Sequence, residues 1–222
     1  MSGKAEFLGL ACPFWLSGLN QYYPLCRLVR YIGHLHAPNA PEDGASPDAV
    51  EGGAGVTSTR RVVEAEFAAG HVTAFADGYP ITLASVASRR SLEETVGIPL
   101  DMSRFRPNVV VDGLQLAPYE EDMWLEVHVG NEQPLSLRSV KPCSRCAITT
   151  VDQDTGVVSP GQEPLKSLLR VRSGALLAET QDTFGSRPEW KRQGFFMWNM
   201  VAAGGGSLRV GDEVRIAARR LG

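Results

Sequence analysis

The chain has 222 residues, of which 43% are hydrophobic and 21% charged, with a formal net charge of −3. That is an ordinary soluble-domain composition with no basic excess or stripe, which argues against a nucleic-acid partner. Its four cysteines, Cys12, Cys26, Cys143 and Cys146, are too few for a disulfide scaffold. The best apolar stretch, residues 7–19, is interrupted by Cys12, Pro13, Ser17 and Gly18, and falls short of the roughly 20 residues of a membrane span. No secretory signal is evident, so a reducing, intracellular setting is expected.

In chain order, Cys26-Arg-Leu-Val-Arg-Tyr31 reads as a short strand. Residues 37–58, poor in large apolar side chains and rich in Pro, Gly and acids, read as a flexible loop. Residues 71–75 and 81–85 are predicted strands separated by the turn Asp77-Gly78. A helix follows, with Ser88 as the expected N-cap and Gly97 as its stop. Residues 108–112 form a short apolar strand closed by Gly113. Met123, Leu125, Val127 and Val129 alternate with Trp124, Glu126 and His128, a half-buried strand. Leu135 and Leu137 open another.

Residues 146–151 are expected as a strand ended by Asp152-Gln-Asp-Thr-Gly156, and residues 164–170 as a short helix. Residues 195–202 and 207–217 are the last predicted strands, with the glycines 204–206 as a tight turn between them. Many short strands with few short helices point to a mainly β fold, a barrel or sandwich.

The sharpest cluster is Cys143-Ser-Arg-Cys146. As half of a zinc site it lacks a second pair; His34, His36, His71 and His128 show no ligand-like spacing. As a thioredoxin-like site it lacks a helix after the pair. Two buried, inert cysteines are the bland alternative. A thiolate also suits a soft, sulfur-rich metal centre, and Arg145 beside the thiols would favour the ionised sulfur.

The string Pro142-Cys-Ser-Arg-Cys-Ala-Ile-Thr-Thr-Val-Asp-Gln-Asp-Thr-Gly156, followed by Glu163-Pro-Leu165, resembles the core motif of MOSC-domain proteins. The resemblance extends upstream through Phe75-Ala-Asp-Gly-Tyr-Pro80 and Arg104-Phe-Arg-Pro-Asn-Val-Val-Val-Asp-Gly113. Downstream it takes in Phe184-Gly185 and Val210-Gly-Asp-Glu-Val214, and a fainter match runs from Trp15 to Tyr31. Within that family the chain is similar to the mitochondrial amidoxime-reducing components and their bacterial relatives.

The resemblance implies a MOSC-type β-barrel over residues 59–222, preceded by the loop 37–58. Residues 1–36 would be a partial remnant of the segment that joins an N-terminal barrel to the MOSC domain. That barrel and its membrane anchor have no counterpart in this chain, which raises the expectation of a truncated or reduced variant. The implied cofactor is the molybdenum cofactor (Mo-molybdopterin). Cys146 is then the metal ligand, and Cys143 is structural.

Asp77 would lie near the metal and could relay protons, a role that an Asp77→Ala variant with unchanged turnover would remove. Arg106 and Asn108, with Arg104 and Arg145, would contact the cofactor or shape its pocket; an arginine fork suits an anionic pterin phosphate. Thr149 and Thr150 could donate hydrogen bonds, though Thr is common in strands. The implied reaction is reduction of N-hydroxylated compounds such as amidoximes and hydroxylamines. Its electrons would come from a b-type cytochrome and its flavin reductase. The implied location is mitochondrial, with the cytoplasm the alternative.

Two other readings stand beside this one. The domain could be a cofactor carrier or sulfurase-type binding module without turnover, or an inactive truncated product. Cofactor sulfurases need a pyridoxal-phosphate-binding domain with its lysine. No such lysine motif occurs here, so pyridoxal phosphate binding attaches to the family label alone.

Overall fold

The computed structural model describes residues 2–7, 50–52, 56–58, 61–73, 78–185 and 187–220. It separates into two compact units, residues 1–7 with 81–222, and residues 8–80. The expected strand 26–31 and the residues 74–77 lie outside the described residues.

In the larger unit the strands are β1 (Ser2–Phe7), β6 (Ile81–Ser85), β7 (Val109–Asp112), β8 (Trp124–Val129), β9 (Leu135–Ser144), β10 (Phe195–Ala203) and β11 (Asp212–Arg219). Six of them run in the order β11-β8-β9-β10-β6-β7, and β1 pairs with both β11 and β7, closing a barrel. The mainly β barrel expected from the sequence is therefore present. All neighbours are antiparallel except β6 and β7. A parallel pair needs a crossover, and here it contains the helix Val86–Val96 and the 3₁₀ turn Met102–Phe105.

The crossover starts abruptly. Ser85 ends β6 in extended conformation, and its Oγ accepts the amide of Ser88 at 3.0 Å. The N-cap is thus Ser85 rather than the expected Ser88, because the helix follows the strand with no loop and Ser88 already lies in its first turn. Gly97 ends the helix at φ +76°, a left-handed position suited to glycine, with its N–H on the Glu93 carbonyl at 2.8 Å.

Two apolar clusters hold the unit. One joins Leu83, Val109, Val111, Trp124, Val127, Val129, Leu137, Met200 and Val214. The second lies where the crossover covers the sheet and joins Leu92, Leu100, Phe105, Leu168, Phe196 and Met197, with Cys143 packed against it. Strand β10 is buried from Phe195 to Val201, on both faces, which is why its sequence reads as a continuous apolar run.

The segment 146–151 is not the expected strand. Ala147–Thr150 is a 3₁₀ turn. The hydroxyls of Thr149 and Thr150 donate back to the carbonyls of Cys146 (3.0 Å) and Ala147 (2.7 Å), stabilising a turn that β-branched side chains otherwise oppose. The expected last strand also begins late, at Asp212. Its side chain accepts the Arg209 amide at 2.8 Å and Gly211 sits at φ +93°, so residues 209–212 turn before pairing starts.

The smaller unit contains the antiparallel pairs β2 (Val50–Gly52) with β3 (Val56–Ser58) and β4 (Arg61–Val62) with β5 (Val72–Thr73), and the short helix Ala65–Ala68. The first pair falls inside the run 37–58 whose composition suggested a loop.

Candidate functional site

Strand β9 carries Cys143 near its end, and Cys146 follows two residues after the strand's last residue. Opposite Cys143 the partner strand β10 is bulged. Phe195 pairs with Ser144 and Trp198 with Pro142, so Phe196 and Met197 together face the single Cys143. Met197 is buried with φ +78°, a strained backbone for a side-chain-bearing residue. The bulge ends regular pairing just before the cysteine turn.

Cys146 is exposed and free, whereas Cys143 is half-buried and free. Cys146 stands at the head of the 3₁₀ turn in extended conformation, φ −118°. The Arg145 amide before it donates to the Gly194 carbonyl at 2.9 Å, and its own carbonyl accepts the Thr149 amide at 3.2 Å. The backbone is therefore tethered on both sides while the thiol faces outward.

The three arginines named from the sequence point in three directions. Arg104, in the turn Met102–Phe105, is buried. Its guanidinium donates to Asp152 Oδ2 at 2.9 Å, the Thr150 carbonyl at 3.3 Å and Ser159 Oγ at 3.2 Å. It thereby fastens the far end of the cysteine turn to the loop behind it. The Asp152 carboxyl lies below the usual carboxylate range, first because the Thr155 hydroxyl and amide donate to it, with the charge of Arg104 a smaller contribution.

Arg145 turns inward, donating to Cys143 Sγ at 2.9 Å and to the Phe105 carbonyl at 3.0 Å. Its guanidinium therefore meets Cys143, not an outward-facing ligand. Arg106 is exposed, at φ +54°, where it caps the 3₁₀ turn. No hydrogen bond or ion pair holds its guanidinium among the described residues. Two residues apart, Arg104 is buried on protein acceptors and Arg106, at the left-handed end of the turn, is exposed.

Asn108 is a structural acceptor. Its Oδ1 takes the Thr82 amide at 2.8 Å and the Thr82 hydroxyl at 3.1 Å, joining β6 to the start of β7. Thr149 and Thr150 spend their hydroxyls on the turn itself. Asp77 lies outside the described residues.

Among the described residues no group of three or more His, Cys, Asp and Glu could hold a metal ion. What the structure brings together is an exposed thiol, Cys146, and an exposed cation, Arg106, on two 3₁₀ turns that touch. A cavity of about 360 Å³ lies to the side, lined by Arg89, Glu93, Pro99, Leu100, Asp101, Arg104 and Asp152. Its charges are already matched: Arg89 with Glu93, Arg104 with Asp152, and Asp101 with the Ser103 amide. Neither Cys146 nor Arg106 lines it.

A charged network that the sequence reading missed is buried elsewhere in this unit. Asp122 accepts from Arg172 Nη2 at 2.7 Å, Trp198 Nε1 at 2.8 Å and Gln181 Nε2 at 3.4 Å. Arg220 covers the Trp198 ring at 3.8 Å, and burial lowers its pKa to about 10. The partners are separated by 50 residues or more from Asp122, so no local pattern could have revealed them.

The model of the MOSC domain family matches residues 70–215. Over 141 residues the chain is 34% identical to mitochondrial amidoxime-reducing component 1 of Homo sapiens, covering 64% of this chain and 38% of that protein. The Mus musculus component 1 is 33% identical over 189 residues, 85% of this chain and 46% of that one. Mitochondrial amidoxime reducing component 2 of Rattus norvegicus is 36% identical over 145 residues, 64% of this chain and 38% of that one. The chain thus spans less than half the length of these relatives. No helix among the described residues is long and apolar enough to cross a membrane.

Proposed function

From the premise that this chain belongs to the MOSC domain family, we propose that it binds the molybdenum cofactor through Cys146 and serves as a reductase of N-hydroxylated compounds. The observation that carries the reading is the outward thiol of Cys146 on a backbone tethered at both flanks. A single thiolate suits a soft metal whose other ligands arrive with its organic part. The residues present fit such a group: Cys146 would hold the metal, and the exposed Arg106 would hold an anionic phosphate by a charge-assisted fork.

When bound, the cofactor supplies the redox and oxygen-transfer chemistry. The protein supplies the sulfur, the cation and a rigid frame. Cys146 must be deprotonated to bind, so loading releases a proton. Three of the proposed cofactor contacts have other employment here. Arg104, Arg145 and Asn108 are committed to protein partners, and their contribution to binding is through the frame.

The substrate class, an amidoxime or hydroxylamine, and the donor, a b-type cytochrome with its flavin reductase, are carried over from the resemblance to the amidoxime-reducing components. The mitochondrion comes to this chain in the same way.

The test is elemental analysis of the protein supplied with cofactor, together with reduction of a benzamidoxime-type substrate by a supplied electron donor. Molybdenum and turnover are expected in the wild type, and both are lost in Cys146→Ala. Metal without turnover converts the reading to a carrier module, and absence of both identifies an inactive chain.

A further inference from the structure

We infer that Arg145 is a positioning residue whose single guanidinium sets Cys146 against Arg106. The inference deepens the reading above and rests on its assignment of Cys146 and Arg106 as the binding residues.

Arg145 immediately precedes Cys146, and its Nη2 donates at 3.0 Å to the carbonyl of Phe105, which immediately precedes Arg106. Its Nη1 donates at 2.9 Å to Cys143 Sγ, three residues before Cys146. Its backbone N–H is fixed on Gly194 of the neighbouring chain segment at 2.9 Å. One planar group thus spans the two turns that carry the thiol and the cation. The guanidinium carbon also lies 6.0 Å from the centre of the Phe105 ring, at the limit of a cation–π contact.

Two further features converge on this clasp. The Phe196–Met197 bulge stands opposite Cys143, and the residue whose sulfur anchors Arg145 packs against the cluster that contains both bulged side chains. The Arg145 Nε is buried without a hydrogen-bond partner, so that side of the guanidinium is closed to an incoming ligand. Arginine reaches both acceptors because its donors form a rigid fork; lysine offers one ammonium on a flexible stem. Arg104 does the equivalent at the other end of the turn, binding Thr150, Ser159 and Asp152.

The experiment compares wild type with Arg145→Lys and Arg145→Gln in two readouts. The first is peptide-level hydrogen exchange of the cofactor-free full chain. In Arg145→Lys, exchange is expected to rise about tenfold in the segments that hold Arg106 and Cys146, the factor for losing one charge-assisted hydrogen bond, while strands β8 and β11 keep wild-type rates.

The second readout is molybdenum content after supply of the cofactor. A clasp predicts that Arg145→Lys loses metal as fully as Arg145→Gln, because the charge remains but the fork is gone. Wild-type metal content in Arg145→Lys overturns the inference, since a direct phosphate contact tolerates the lysine charge. Exchange that stays unchanged, or rises evenly across the barrel, also overturns it. If the wild type itself binds no molybdenum, the proposed function falls, and the exchange pattern alone decides whether the clasp exists. Should Arg145→Gln fail to fold, Cys143→Ser and Arg145→Lys carry the same comparison.

Discussion

Replacing Asp122 by Asn tests whether the buried network holds the barrel to its covering layer. Asp122 and Arg172 have side chains only 5% and 7% exposed and meet at 2.7 Å. Asparagine keeps the shape and can still accept from Trp198 Nε1, but it removes the charge opposite Arg172. Breaking one partner of a buried pair costs about 3–5 kcal/mol, because the other charge is left uncompensated. Here Arg172 retains two supports, the Phe195 carbonyl at 3.0 Å and the Tyr119 ring at 3.9 Å, which place the cost toward the lower end. At about 2–4 °C per kcal/mol for a domain of this size, the midpoint should fall by roughly 6–12 °C for a loss near 3 kcal/mol. Thermal unfolding gives that shift, and urea unfolding followed by tryptophan fluorescence gives the free-energy loss, with an unchanged slope expected if the denatured state is unaffected. A loss below about 1 kcal/mol, the range of an exposed ion pair, refutes the reasoning. The double replacement Asp122→Asn with Arg172→Met should recover much of the loss, since it removes the uncompensated charge while asparagine still accepts from Trp198 Nε1.

Glu121 is buried, with its carboxyl taking the Ser85 hydroxyl at 3.0 Å, and burial pushes its pKa above the ordinary glutamate value. An acid whose folded pKa is raised binds its proton more tightly in the folded state. The stability this provides is complete below the unfolded pKa and is lost as pH rises through the folded one. Stability should therefore decline as pH rises above the ordinary glutamate range in the wild type and decline less in Glu121→Gln; parallel pH profiles would contradict this. At Gly174 an added Cβ would stand 2.4 Å from the Trp190 carbonyl oxygen. Because that atom is backbone, Gly174→Ala should cost about 1–3 kcal/mol, read as a lower urea midpoint; an unchanged midpoint would show that the local chain yields easily.

The strand pattern was legible where one face is buried, and it slipped where pairing is irregular. In β8 the alternation identified Val127 and Val129 as buried, and they are. The same alternation put Leu125 inside and Trp124 outside. The structure reverses them, with Leu125 40% exposed and Trp124 2% exposed. The neighbouring β11 shifts register between Ile216 and Arg219, opposite this end of β8, and the period-two phase does not survive the irregularity. Cys146 was recognisable from its motif, but its turn was hidden because Ile148, Thr149 and Thr150 are strand-favouring types. The return bonds of the two threonine hydroxyls support the backbone bonds of the turn there.

The sequence by itself determined the family and the β-rich barrel, and its motif singled out the thiol that the proposed function uses. These follow from ordered motifs and from hydrophobic periodicity, both local properties of the chain. Tertiary structure decided which of Arg104, Arg106 and Arg145 is exposed, since Arg104 and Arg145 turn toward acceptors far along the chain. Arg104 finds Asp152 48 residues away, and Arg145 finds Phe105 across 40. Arg106, with no such acceptor for its guanidinium among the described residues, stays exposed at the left-handed end of its turn.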